Sequence, residues 1–173
     1  MQKGFTLIEV LAASFIIIMG VGGAMALIQQ SISFTSNAAL QLEASYLAQE
    51  GMEIVRNIRD TNLLKIHKGV GGNWTDGLID PDGDGTNECA IGCQSDYAQS
   101  FLTAYQDTLL QFSNGFYSHI PSTTDSIFKR KITVTSLASD ILEVLVEVIW
   151  EERGRSHTIE AATELYNWLS PTL

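Results

Sequence analysis

The chain has 173 residues, 45% hydrophobic and 17% charged, with 20 acids against 10 bases and a formal net charge of −10. That length holds one helical stalk and one small domain. The acid excess argues against nonspecific nucleic-acid binding, which needs clustered Lys and Arg.

The first element is an apolar run, 5–28, behind a leader whose single charge is Lys3. As a helix the run measures about 36 Å at ~1.5 Å per residue, enough to cross a bilayer with Lys3 on the cytoplasmic side. One formal charge, Glu9, stands inside it. A carboxylate costs on the order of 3 kcal/mol or more near a bilayer centre, so it marks a function and needs a partner. The bland alternative is an ordinary signal anchor with a tolerated acid. Gly20, Gly22 and Gly23 each cost about 1 kcal/mol of helix propensity. They serve either close helix–helix contact or local loosening of the helix.

The helix continues through 29–62. Leu40, Ala44, Leu47, Gly51, Ile54 and Ile58 recur at steps of four and three, one face of an amphipathic helix. Glu43, Glu50, Glu53 and Arg56 stand opposite, and Glu53 and Arg56 can pair. One helix is expected from about Phe5 to about Asn62.

Residues 68–94 form an irregular region rich in Gly, Asp and Asn. Within it, 80–88 resembles the first half of an EF-hand calcium loop. Asp80, Asp82 and Asp84 offer side-chain oxygens, Thr86 a backbone carbonyl and Glu88 a further carboxylate, with Gly85 at the turn. The match stops at Ile91, where a bidentate Glu belongs. The alternatives are a Ca²⁺ site that orders the loop and a solvated acidic turn. Cys89 and Cys93 lack the further ligands of a usual zinc site. In an oxidising compartment they form a short disulfide loop, and otherwise they are free thiols.

Residues 96–110 suit a short helix or a strand pair, Asn114-Gly115 a turn and 116–120 a short strand. The last third alternates with period two over 128–136, 141–152 and 157–166. Short connections at 138–140 and 153–155 make these an antiparallel meander. Leu142, Val144, Val146, Val148 and Trp150 share a face that the amphipathic half of the helix is available to cover. Lys129-Arg130-Lys131 is the one dense basic cluster, read as one end of a strand facing acidic neighbours, where Lys129 and Lys131 could meet Glu143 or Glu147 across the strands.

No catalytic constellation is evident. His67, His119 and His157 fall in different elements, and there is no nucleophile elbow, phosphate loop or HExxH. Gly69-Val70-Gly71-Gly72 neither follows a strand nor opens a clear helix. Trp74, Tyr97, Phe116, Tyr117, Trp150 and Trp168 read as core or subunit contacts.

Gly4-Phe5-Thr6-Leu7-Ile8-Glu9-Val10 resembles the processing and methylation motif of type IV pilins and pseudopilins, over about the first thirty residues. The resemblance implies that a membrane peptidase cuts between Gly4 and Phe5 and methylates the new amine of Phe5. It implies that Glu9 stays in the membrane segment; when subunits stack, the amine of a neighbouring Phe5 is its obvious partner. Many members carry a helix-bending proline here, whereas the first proline of this chain is Pro81. The implied partners are other pilin or pseudopilin subunits, a prepilin peptidase, an assembly platform and a motor ATPase.

The expected fold is α+β, a long N-terminal helix packed on a small C-terminal antiparallel sheet. Its parts are a leader at 1–4, a membrane and polymerisation helix at 5–28, an amphipathic helix at 29–62 and a head at 63–173. The expected function is a structural subunit of a type IV pilus or related pseudopilus, and not an enzyme. Its place is the cytoplasmic membrane with an extracytoplasmic head, and a filament after assembly. The rival is a monomeric membrane-anchored module that binds through loop 68–94.

Overall fold

The computed structural model describes residues 4, 6–80, 86–113, 115–121 and 124–169. Its elements are helix α1 (Leu7–His67), a 3-10 turn (Glu88–Ala90) and seven strands. These are β1 (Cys93–Gln94), β2 (Thr103–Ala104), β3 (Gln111–Ser113), β4 (Phe116–Ser118), β5 (Phe128–Ala138), β6 (Ile141–Glu152) and β7 (Arg155–Tyr166). The expected α+β class is the observed one. The chain divides into two units, Met1–Leu42 and Glu43–Leu173.

In the first unit, α1 exposes its large apolar side chains all round, from Leu7 (79%) to Ile28 (54%). Ser14 within this stretch and Thr35 beyond it satisfy their hydroxyls on the preceding turn. Ser14 Oγ donates to the Val10 carbonyl at 2.8 Å, and Thr35 Oγ1 to that of Ser31 at 3.0 Å.

In the second unit, an antiparallel sheet runs in the order β2-β1-β5-β6-β7, and β3 and β4 form a separate pair. The turns fix the long meander. Between β6 and β7, Arg153 and Gly154 both hold positive φ (50° and 74°), the type I′ geometry that matches strand twist. Between β5 and β6, Ser139 and Asp140 join Ala138 to its partner Ile141. The expected apolar face of β6 is buried, together with Phe128, Ile132 and Val134 of β5.

The C-terminal part of α1 covers this face with Ala44, Leu47, Ala48, Gly51, Ile54, Val55, Ile58 and Leu63. The helix runs five residues beyond Asn62, to His67. Asn62 is buried there, its Nδ2 donating to the Asp76 carbonyl at 2.7 Å and so tying the following loop to the helix. Gly51 sets the closest approach. A Cβ at that position would lie 2.8 Å from Val146 Cγ1 and 3.2 Å from Arg130 Cδ.

Two expectations need correction. Residues 96–110 form no helix; β2 pairs with β1, and the backbone otherwise bonds outward, Leu102 N–H to Gly77 O and Tyr105 N–H to Gly92 O. Glu43 and Glu50 do not simply stand opposite the packed positions. Glu43 accepts a hydrogen bond from Tyr117, and Glu50 pairs with Arg130 at 3.4 Å. The expected pairing of Lys131 with Glu147 is present, and Lys129 finds a different acid. Period-two geometry turns Lys131 toward Glu147 (3.4 Å) and Lys129 toward Asp107 (3.0 Å), while Arg130 points inward and is fully buried.

The Gly51 contact gives a direct test. Gly51→Ala gains up to about 1 kcal/mol of helix propensity, yet overpacking against Val146 is expected to cost about 1–3 kcal/mol. The thermal midpoint should fall, and adding Val146→Ala should restore part of it. An unchanged or raised midpoint for Gly51→Ala would show slack between helix and sheet.

Candidate functional site

The N-terminal site begins at Gly4 and Thr6; Lys3 and Phe5 lie outside the described residues. Thr6 is the entry to α1, its carbonyl accepting from Glu9 N–H at 3.1 Å and Val10 N–H at 3.3 Å. Thr6-Leu7-Ile8-Glu9 has the spacing of a capping box, which was legible in the sequence and missed. Glu9 stands in the first helical turn, where the helix dipole favours a carboxylate. It is exposed, and among the described residues no cation pairs with it.

Energetics rank the features of this helix. Its most apolar stretch has a mean hydropathy of 2.3 and none of it is buried. Thirteen large apolar residues between Leu7 and Ile28 are more than half exposed. At about 1.5–3 kcal/mol for each fully buried side chain, moving them from water to an apolar phase is worth on the order of 20–40 kcal/mol. The cost of one carboxylate, about 3 kcal/mol by insertion scales, does not reverse that. Glu9 therefore does not prevent membrane residence; it sets what else the helix must find there.

The acidic loop is only partly in view. Of the five proposed calcium ligands, Asp82 and Asp84 lie outside the described residues. Asp80 is half-buried, and Thr86 Oγ1 donates to Glu88 Oε1 at 2.7 Å. Among the described residues, no three metal-binding side chains gather. The C-terminal end of the loop is pinned. Cys89 and Cys93 form a disulfide with 4.9 Å between their Cα atoms, and both are fully buried. Cys93 pairs in register with Ile132 of β5, so the disulfide ties the 3-10 turn to the sheet.

A second polar cluster was not foreseen. Arg130 donates to the Ser95 carbonyl at 3.0 Å and the Leu47 carbonyl at 3.4 Å, and faces Glu50. Next to Ser95, buried Asp96 accepts from the His119 backbone N–H at 2.8 Å, with His119 Nδ1 3.1 Å from the same oxygen. Burial pushes the Asp96 carboxyl up. The two His119 hydrogen bonds and the His119 and Arg130 charges outweigh it and hold the group below the usual carboxylate range. Nearby, Tyr117 is pushed up to about 12 by burial and by Glu43, so it stays a neutral donor to that carboxylate. These groups lock α1, β4, β5 and the 94–99 loop together. No nucleophile stands beside His119 among its described hydrogen-bond partners.

The remaining aromatics divide. Trp74 and Trp150 are buried, Tyr117 is half-buried, and Tyr97, Phe116 and Trp168 are exposed. A cleft of about 500 Å³ beside β6, lined in part by Asp107, Lys129 and Glu151, holds the Lys129–Asp107 ion pair.

The Asp96 shift predicts a pH dependence. Its folded pKa lies below its unfolded one, so its contribution is complete above the ordinary carboxyl value, about 4, and is lost as pH falls through the folded pKa. Asp96→Asn should lower the midpoint at neutral pH and flatten its fall between about pH 5 and 3. An equally steep acid limb in that variant would assign acid sensitivity to other groups.

No curated protein and no solved structure matches the chain. The family profile described as the prokaryotic N-terminal methylation motif matches residues 1–25. That match and the long apolar helix fit a membrane-anchored protein, and the motif points to a structural protein rather than an enzyme. Residues 1–25 thus carry the prepilin cleavage motif of type IV pilins and pseudopilins, the mark of type IV pilin-like proteins processed by prepilin peptidase.

Proposed function

We propose that the chain is a structural subunit of a type IV pilus or related pseudopilus. A prepilin peptidase cleaves it between Gly4 and Phe5 and methylates the amine of Phe5. The subunit waits in the cytoplasmic membrane as a single-pass protein with its acidic head outside. An assembly platform and a motor ATPase then draw it into a filament. The observation that carries this reading is an apolar helix exposed on every side, with one carboxylate in its first turn.

The mechanism is physical. Lipid covers 5–28 before assembly, and the same surface of neighbouring subunits covers it afterwards, so apolar contact with water is avoided throughout. Packing alone leaves helices free to slide along one another. Glu9 fixes the axial step by meeting the terminal ammonium of a neighbouring Phe5, a pair favourable in an apolar medium when both charges are desolvated together. A Cβ built at Gly20, Gly22 or Gly23 would meet nothing within 4 Å apart from the helix's own backbone, so these positions have room for close helix contact.

Glu9→Leu tests this and separates it from the monomeric binding module. The expected variant inserts in the membrane at normal levels and is cleaved, but filaments are absent or irregular. Normal filaments from Glu9→Leu would contradict the role given to Glu9.

We also propose that loop 80–88 binds Ca²⁺ through Asp80, Asp82, Asp84, Thr86 and Glu88, ordering the loop ahead of the disulfide. Calorimetry on the full chain in detergent should show heat and a raised thermal midpoint with calcium, both lost in Asp80→Asn combined with Asp84→Asn. No heat and no shift at millimolar calcium would remove the proposal.

A further inference from the structure

The long sheet has two unequal edges. One ends in β2, two residues long; the other is β7, twelve residues long. Among the described residues β7 pairs only with β6, along its whole length. Exposed edges of this length are usually shortened, bulged or guarded by Pro or by charged side chains, Lys above all, because they template pairing with another chain. β7 has no Pro or Lys and its register with β6 is unbroken; its charges are Arg155 at the hairpin end and two acids, Glu160 and Glu164, which repel acidic strands but attract basic ones.

The hairpin fixes which backbone groups face outward. A two-residue type I′ turn makes its closing pair, Glu152 and Arg155, a hydrogen-bonded pair, and bonding then alternates along the strands. Thr158, Glu160, Ala162 and Glu164 therefore turn their N–H and C=O groups away from β6. Their side chains stand on the face of the sheet opposite α1 and are exposed.

That face carries an unbalanced charge. Glu147 stands directly opposite Glu160, and Glu143 opposite Glu164. Both are non-hydrogen-bonded pairs, in which side chains come closest, and like charges so placed are destabilising. Lys131 answers Glu147, but among the described residues no Lys or Arg pairs with Glu143, Glu160 or Glu164. On the α1 side of the same strand, Ile159, Ala161 and Thr163 are only half-buried.

We propose that the outer edge of β7 accepts an extended segment of a different protein, with Lys or Arg at positions four apart facing Glu160 and Glu164 and small apolar residues on its other face. Added antiparallel, such a strand satisfies the outward backbone groups, neutralises both carboxylates and completes the cover of Ile159, Ala161 and Thr163. A second copy of β7 does not fit. Pairing centred on 160–164 with the outer faces level sets carboxylate against carboxylate. The inference holds whether or not the chain polymerises.

The test uses the full chain in detergent micelles and a labelled nine-residue peptide, Thr-Val-Lys-Val-Thr-Val-Lys-Val-Thr, with a twin carrying Glu for Lys. Fluorescence anisotropy should show the Lys peptide binding at least about tenfold more tightly than the Glu twin, an order that Glu160→Lys combined with Glu164→Lys reverses. Ala162→Pro removes one outward N–H and no bond to β6, and should weaken the Lys peptide at least about tenfold. If that variant fails to fold, the charge reversal decides alone. Absence of saturable binding at millimolar peptide, equal affinity for the two peptides, or binding indifferent to both variants would overturn the proposal. So would self-association of the full chain that a folded Ala162→Pro abolishes, which would assign the edge to a second copy.

Discussion

The controlling constraint is an apolar surface for which the described chain provides no cover. Between Leu7 and Ile28, α1 presents large side chains in every direction, and no described residue buries them. A soluble fold tolerates scattered exposed leucines but not a continuous helical surface of this kind. Lipid or the same surface of other helices must therefore cover it. Against a stabilisation on the order of tens of kcal/mol, the single carboxylate at Glu9 cannot decide whether the helix is buried. In the assembly proposed above it decides in what register, because it is the one group in the stretch that needs a specific charged partner.

The second unit solves a different problem with the same helix. There the covering face of α1 is built from small and branched residues, and Gly51 lets the helix approach Val146 and the stem of Arg130. The buried guanidinium makes the fit specific. It ties the Leu47 carbonyl and Glu50 of α1 to the Ser95 carbonyl, while Asp96 carries the network on to His119. Replacing one partner would strand a buried charge, which is far more costly than losing an apolar contact. Such a network selects one placement of helix on sheet where a purely apolar face would accept several.

Local patterns were legible in advance. The order of Lys3, Gly4, Phe5 and Glu9 ahead of an apolar run needs no three-dimensional information, and neither does the strict alternation of β6, whose expected bounds, 141–152, match the strand. The disulfide was one of two open alternatives. What escaped was set by distant partners. Lys129 and Lys131 were placed on the outer face, but the side chain between them, Arg130, was given no partner. Its place between Phe128 and Ile132 on the inward parity was the available signal. Glu43 and Glu50 were placed only by helical phase, opposite the packed positions, because Tyr117 and Arg130 lie more than seventy residues further along the chain. The leucines and aromatics of 96–110 imitate helical spacing, but their backbone bonds go to Gly77 and Gly92, which no local pattern announces.

The central claim is that the helix from Phe5 onward is a processed anchor whose terminal amine is the counterpart of Glu9. An intact mass of the native protein from its own membrane tests it most directly. The account predicts the mass of Phe5–Leu173 plus one methyl group, with the cysteines bonded. A chain that still carries Met1 through Gly4, or one cut elsewhere, would contradict it.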